Sequence, residues 1–275
     1  MRRSRLGDAL RWLLLAVTAL VLNFPILATL LTSLKTTADI NASPPVLLFA
    51  PTLEHFRTVL TDPALDFPRY LVNSTVMALG GTALALALSL PAAYAIVRLG
   101  IGARVLLPLV TNLRAVPLVI FAIPIYLMYQ LAGLLDTRLG LALIACVVNL
   151  PTALILLVGF VQELPVELDE AARVDGAGTL GILRHVVLPL ARPMLLAVGI
   201  LSFIFAWNEF LFGLILTTKD AVPVTVGATF FITSWGVKWG ATAAAMTLSA
   251  LPPMLLGLVA YRWLGKALLA GAVKG

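Results

Sequence analysis

Long apolar runs constrain this chain more than any other feature. No charged side chain occurs from Trp12 to Leu34, and comparable runs recur along the length. A run of about 20 apolar residues is what a helix needs to cross the hydrocarbon layer of a bilayer. A single soluble core of 275 residues has no use for so many of them. Composition agrees, with 61 % of residues hydrophobic and 12 % charged, a charged share about half that of an ordinary soluble domain. The mean hydropathy is +1.03. An all-α membrane protein with six transmembrane helices is predicted, with spans at about 12–34, 70–97, 104–130, 139–160, 190–216 and 243–264. The start, Met1-Arg2-Arg3-Ser4-Arg5, has the basic character of a signal peptide. The apolar run behind it is too long for one and no clean cleavage site follows, so it reads as a retained first span.

Basic residues set the predicted orientation. The net charge of +6 comes from side chains scattered at the ends of apolar runs, which is a topology signal and not a nucleic-acid patch. With the N-terminus in the cytosol, that side receives 12 of them, including Arg98, Arg104, Arg173, Arg184 and Arg192. The other side receives six (Lys35, Arg57, Arg69, Arg138, Lys219 and Lys238), and Arg114 stays inside a span. Both termini are therefore expected in the cytosol. This divides the chain into a cytosolic N-terminus (1–11), a first span (12–34), an extracytoplasmic segment (35–69), a core (70–264) and a cytosolic tail (265–275). The one cysteine, Cys146, lies in an apolar run and excludes an intrachain disulfide.

Residues 161–189 form the one long polar loop on the predicted cytosolic side. Pro165 suits the first turn of a helix and Gly176 its stop. Leu168, Ala171 and Ala172 then share an apolar face of small residues, and Glu163, Glu167 and Glu170 an acidic one. Ile182, Leu183, Val186 and Val187 follow as a second short amphipathic helix that Pro189 is expected to end. Two short helices meeting at a glycine make a compact knob. Its acidic face argues against rest on anionic lipid, since helices lying on a membrane surface are usually basic. Docking on another protein is the better reading.

Glu170-Ala171-Ala172, three residues, Gly176, nine residues, then Val186-Val187-Leu188-Pro189 resembles the E-A-A-x3-G-x9-I-x-L-P signature of ATP-binding-cassette (ABC) importer permeases. Val186 in place of isoleucine is the one departure. Asn73-Ser74, Ala92-Ala93-Tyr94-Ala95 with Arg98, Trp207-Asn208-Glu209-Phe210 and the ending Ala270-Gly271-Ala272-Val273-Lys274-Gly275 are similar to the carbohydrate branch, in its MalG-like subunit. The resemblance implies a MetI-like type I importer permease fold in the inner membrane of a prokaryote. It also implies that Glu170, Ala171, Ala172, Gly176, Val186, Leu188 and Pro189 couple the chain to an ABC ATPase dimer. A second permease subunit and an extracytoplasmic solute-binding protein are the other implied partners, beside membrane lipid.

No G-x-x-x-x-G-K-[ST] pattern occurs, so ATP hydrolysis by that route belongs to another chain and no enzyme activity or cofactor is expected here. Gly176-Ala177-Gly178-Thr179-Leu180-Gly181 satisfies G-x-G-x-x-G, but it follows a helix where a nucleotide fold requires a strand. It is rejected as a nucleotide site. His55 and His185 fall on opposite sides of the predicted topology, so no metal site is expected.

Two charges lie well within apolar segments, and such residues are functional suspects. Arg114 precedes Pro117 and Pro124, and a packed structural role and a place in the translocation path are both open to it. Glu209, beside Asn208, suits the path or a gate, and also a satisfied bundle position. So few fixed charges fit a neutral substrate better than an ionic one. The aromatics Phe230, Phe231, Trp235 and Trp239 suit interfacial anchors. By the resemblance, Trp235 and Trp239 also reach toward the binding protein. An ion-coupled secondary transporter is the alternative, yet the internal repeats common in such proteins are missing. A membrane assembly factor without transport is a second rival. Neither accounts for the acidic knob.

Overall fold

The computed structural model describes residues 5–63, 66–233 and 236–272. In chain order the helices are α1 (Arg5–Ser33), α2 (Thr37–Asn41), α3 (Glu54–Thr61), α4 (Phe67–Arg98), α5 (Leu106–Ala115), α6 (Ala122–Leu131) and α7 (Arg138–Glu163). Then come α8 (Glu167–Val174), α9 (Thr179–Ile182), α10 (Leu188–Trp207), α11 (Leu211–Leu216), α12 (Val224–Gly227) and α13 (Trp239–Ala272). A small antiparallel hairpin pairs β1 (Ile232–Thr233) with β2 (Gly236–Val237). Among the described residues, five stretches are long and apolar enough to cross a membrane: Leu10–Ser33, Phe67–Arg98, Arg138–Glu163, Thr179–Trp207 and Trp239–Leu258.

The expected third span is broken. Its two pieces, Leu106–Ala115 and Leu118–Leu131, meet at 103°. The cause is local. A residue before proline is driven out of the helical region, and Val116, before Pro117, takes φ −82 and ψ 128. Pro124 falls in the first turn of α6, where a missing N–H costs little. The fifth span is interrupted too: α10 ends at Trp207, and α11 resumes four residues later.

The chain divides into two compact units. One comprises Met1–Phe67 with Ala228–Ala250, the other Pro68–Gly227 with Leu251–Gly275. In the first, the large apolar side chains of α1 from Leu10 to Leu31 are exposed, a surface that calls for lipid or another apolar covering. Phe231 is 1 % exposed and meets Phe67 edge-on at 6.2 Å between ring centroids. It belongs to the core of this unit, not to an interfacial belt as its sequence context suggested. The imidazole of His55 lies so close to Gly240 that any side chain at that position would collide with it.

In the second unit α4 and α7 run parallel, and polar ties at both ends show it. At one end Arg138 Nε donates to Asn73 Oδ1 (2.8 Å), and Arg69 pairs with Asp220 (2.7 Å). Asp136, in the turn before α7, accepts from the backbone N–H groups of Thr218, Lys219, Asp220 and Ala221 at 2.9–3.2 Å. Burial raises its pKa, but the N–H groups of Asp220, Ala221 and Thr218, with the Thr218 hydroxyl, outweigh that and hold it at about 2. At the opposite end, Arg98 closes α4 and donates to Leu164 O, just past α7, at 2.6 Å. Since α4 and α7 both run from the Asn73 end to the Arg98 end, the chain between them must return once. The bent α5–α6 segment is therefore one broken crossing, not a re-entrant loop. A core of Leu90, Ala93, Tyr94, Leu157, Val161, Ile182 and Val187 fills the Arg98 end.

Candidate functional site

The polar loop is built by two backbone devices. Pro165 sends Leu164 into extended backbone (φ −71, ψ 133), which ends α7. Eight residues of α8 follow, and Gly176 stops them with φ +84. The N–H groups of Gly176 and Ala177 bond to Arg173 O (3.0 Å) and Ala172 O (2.9 Å), the two bonds of a Schellman turn. Nothing lies within 4 Å of where a side chain at Gly176 would begin, so the backbone angle alone demands glycine. This is the glycine stop read from the sequence.

The facing of α8 differs from the reading above. Asp169 and Ala172 turn inward, and Asp169 is only 3 % exposed. Leu168 and Ala171 stay outside with Glu167, Glu170 and Val174, the last 88 % exposed. The phase is set by charge. Arg98 Nε lies 3.0 Å from Asp169 Oδ2, off the N–H axis, so the two form an ion pair without a directed hydrogen bond. Tyr94 donates its hydroxyl to the same oxygen at 3.3 Å. A buried carboxylate without a partner costs several kcal/mol, so the helix turns to give Asp169 its counter-charge. Sequence reasoning missed this residue. The signal available was an Asp three residues before Ala172, away from Glu167 and Glu170, together with an arginine closing a span.

Pro189 does not end the second helix. Leu183–Val187 form a π turn that continues into α10, and Thr179–Trp207 is one rod of 29 residues. A proline inside a regular helix clashes with the carbonyl four residues back. The wider turn before Pro189 relieves that clash. Ile182, Leu183, Val186 and Val187 do face the core, as expected. Leu188 is half-exposed on α10. Gly178 adopts extended backbone as the cap of α9, and neither strand among the described residues precedes the glycine-rich stretch, which leaves no nucleotide fold around it.

The intramembrane charges sit at the two helix breaks. Arg114 is exposed in the last turn of α5, where a cation favours the helix end. It borders a cavity of about 430 Å3 whose other lining residues include Asn149, Thr152, Phe205 and Phe212. Asn149 Oδ1 is buried there without a partner. Phe205 and Phe212 flank the second break. Within it, Asn208 Nδ2 donates to Ile204 O (2.8 Å), and Glu209 accepts from the Phe212 N–H (2.9 Å) at the start of α11. Trp239 is 59 % exposed and borders a separate cavity of about 350 Å3 with Thr37, Asn41, Glu54, His55 and Lys238. Trp235 lies outside the described residues. No group of three or more His, Cys, Asp or Glu among the described residues is placed to hold a metal ion.

The family described as "Binding-protein-dependent transport system inner membrane component" matches residues 85–269. The trehalose/maltose transport system permease protein MalG of Thermococcus litoralis is 35 % identical, covering 84 % of each chain. The sulfoquinovosyl glycerol transport system permease protein SmoH of Agrobacterium fabrum is 34 % identical, covering 98 % of this chain and 95 % of its own. Among solved structures, a chain of a bacterial ABC transporter involved in the import of the acidic polysaccharide alginate shares the fold. Its TM-score is 0.79 at 25 % identity, with 95 % of this chain and 98 % of that one covered.

Proposed function

This chain belongs to the family of binding-protein-dependent transport system inner membrane components, and from that premise we propose that it carries a sugar or oligosaccharide inward by ATP-driven alternating access. It is an ABC transporter permease, a membrane subunit without enzyme activity of its own. In the proposed cycle a solute-binding protein docks outside, and ATP binding closes an ATPase dimer inside. The α8 knob then transmits that closure into the spans, a two-state element biased from both sides. A second permease subunit completes the pathway, and both termini lie in the cytosol.

One observation carries the coupling role: the outward face of α8. It presents Glu170 beside Leu168, Ala171 and Val174, an apolar patch with an acidic rim held outside the core. In this reading Glu170 makes a charge-assisted bond to the ATPase. Ala171 lets its surface approach, Ala172 seats α8 against the core behind it, and Gly176 turns the chain back. Val186, Leu188 and Pro189 build the π turn and the start of α10 through which the push continues. Arg114, Asn208 and Glu209 mark where the path bends at the helix breaks. Trp239, with Trp235, meets the binding protein.

Glu170→Lys tests the reading. Uptake is expected to be lost while insertion in the membrane stays normal, and wild-type uptake would remove the coupling role. Uptake sustained by an ion gradient after ATP depletion would favour a secondary transporter instead. Labelling of an Ala177→Cys variant from outside the cell would overturn the orientation.

A further inference from the structure

Asp169 and Glu170 are neighbours with opposite exposures, and the inward one has no place in the coupling surface described above. Tyr94 and Arg98, one turn apart on α4, meet Asp169, 75 positions beyond Tyr94, at one buried point, with Arg98 and Asp169 side chains 9 % and 5 % exposed. Three elements converge on the Arg98 guanidinium. It belongs to α4, pairs with Asp169 of α8, and donates to Leu164 O at the end of α7.

Helix α8 is too short to hold itself together, since isolated helices below about 12 residues are marginal in water. Its position therefore comes from its attachments. Toward α10 these are the backbone through Gly176 and contacts with α9 and the π turn. Toward α4 the attachment is this polar cluster. Apolar contacts such as Ala172 against the core can slide. A desolvated ion pair cannot open without leaving two buried charges unpaired. Salt screens it far less than an exposed pair.

We infer that the Arg98–Asp169 pair, with the Tyr94 hydroxyl, is a positioning tie that makes α8 and the ends of α4 and α7 move as one body when the ATPase displaces α8. The inference rests on the coupling role proposed for α8. Without the tie, α8 would still be seated on the ATPase, but its displacement would reach α7 and α10 through the backbone and leave α4 behind.

The test uses the assembled transporter, with its ATPase and binding protein, in proteoliposomes. Asp169→Asn is expected to keep ATPase binding and hydrolysis while transported substrate per ATP falls about tenfold, within the usual range of coupling effects. Asp169→Glu, which keeps the charge, is expected to recover much of the loss. Wild-type substrate per ATP in Asp169→Asn would overturn the tie. If Asp169→Asn fails to assemble, the native pair is tested directly. Spin labels on Leu99→Cys and Asp175→Cys, in a Cys146→Ser background, report the α4–α8 distance with and without ATP. A distance constant to within roughly 1 Å supports the tie, and a change beyond the 1–2 Å typical of independent helix shifts overturns it. The two readings fail separately. Normal ATPase binding and uptake in Glu170→Lys would sink the coupling role. Loss there with normal coupling in Asp169→Asn would sink only the tie.

Discussion

At one end of the second unit Asp136 stands partly in water and gathers four backbone N–H groups; at the other, Asp169 stands out of water and faces one guanidinium. Both carboxylates join elements distant in sequence, but the bonds differ in kind. The Asp136 tie needs no counter-charge. Its donors belong to the backbone of one short loop, so it fixes that loop's shape and survives salt. The Asp169 tie depends on a single opposite charge kept from water, so it is all or nothing. An end that must hold a fixed shape is served by many moderate bonds. An end that must pass on a displacement is served by one contact that does not yield gradually.

Removing one partner at each end sharpens the contrast. Arg98→Ala leaves a buried, unpaired Asp169 and is expected to cost about 3–5 kcal/mol of stability, read as a large drop in Tm of the purified protein. An effect as small as that of a surface pair would break the comparison. Asp136→Ala removes a solvated carboxylate, and its cost is expected at about 1–2 kcal/mol after allowance for that exposure. Asp136 also predicts an acid response. Its folded pKa, about 2, lies below its ordinary value of 3.8. The stability it contributes is complete above the ordinary value and is lost as pH falls toward 2. Melting curves across that window should fall less steeply in Asp136→Asn than in wild type. Arg69→Ala, which opens the exposed pair with Asp220, is expected to change stability by about 0.5 kcal/mol or less.

The spans, the Gly176 stop and the outward position of Glu170 were legible in the sequence because each rests on local chemistry: run length, backbone angle and helix periodicity. The broken third span was half legible. Pro117 was visible, but the residues around the break stay apolar, and only the extended backbone of Val116 turns a proline into a 103° bend. The fate of Pro189 was misjudged, since proline stops a regular helix and nothing local announces a π turn. Asp169 was illegible for a different reason. Its partner stands at the end of another span, and the inward turn of α8 follows from that tertiary pairing and not from the helix's own pattern. Asp136 likewise finds its donors in a loop some eighty residues away.

The wide turn at Leu183–Val187 has a consequence for the spacing of the loop motif. Ile182 and Val187, five positions apart, are both fully buried, whereas a regular helix would set them about 140° apart at 3.6 residues per turn. The turn absorbs one residue, so the nine positions between Gly176 and Val186 measure an angle more than a length. Straightening it with the sequence unchanged would swing α9 by about 100° around the axis of α10. Deleting one residue inside it would leave α9 facing as it does now.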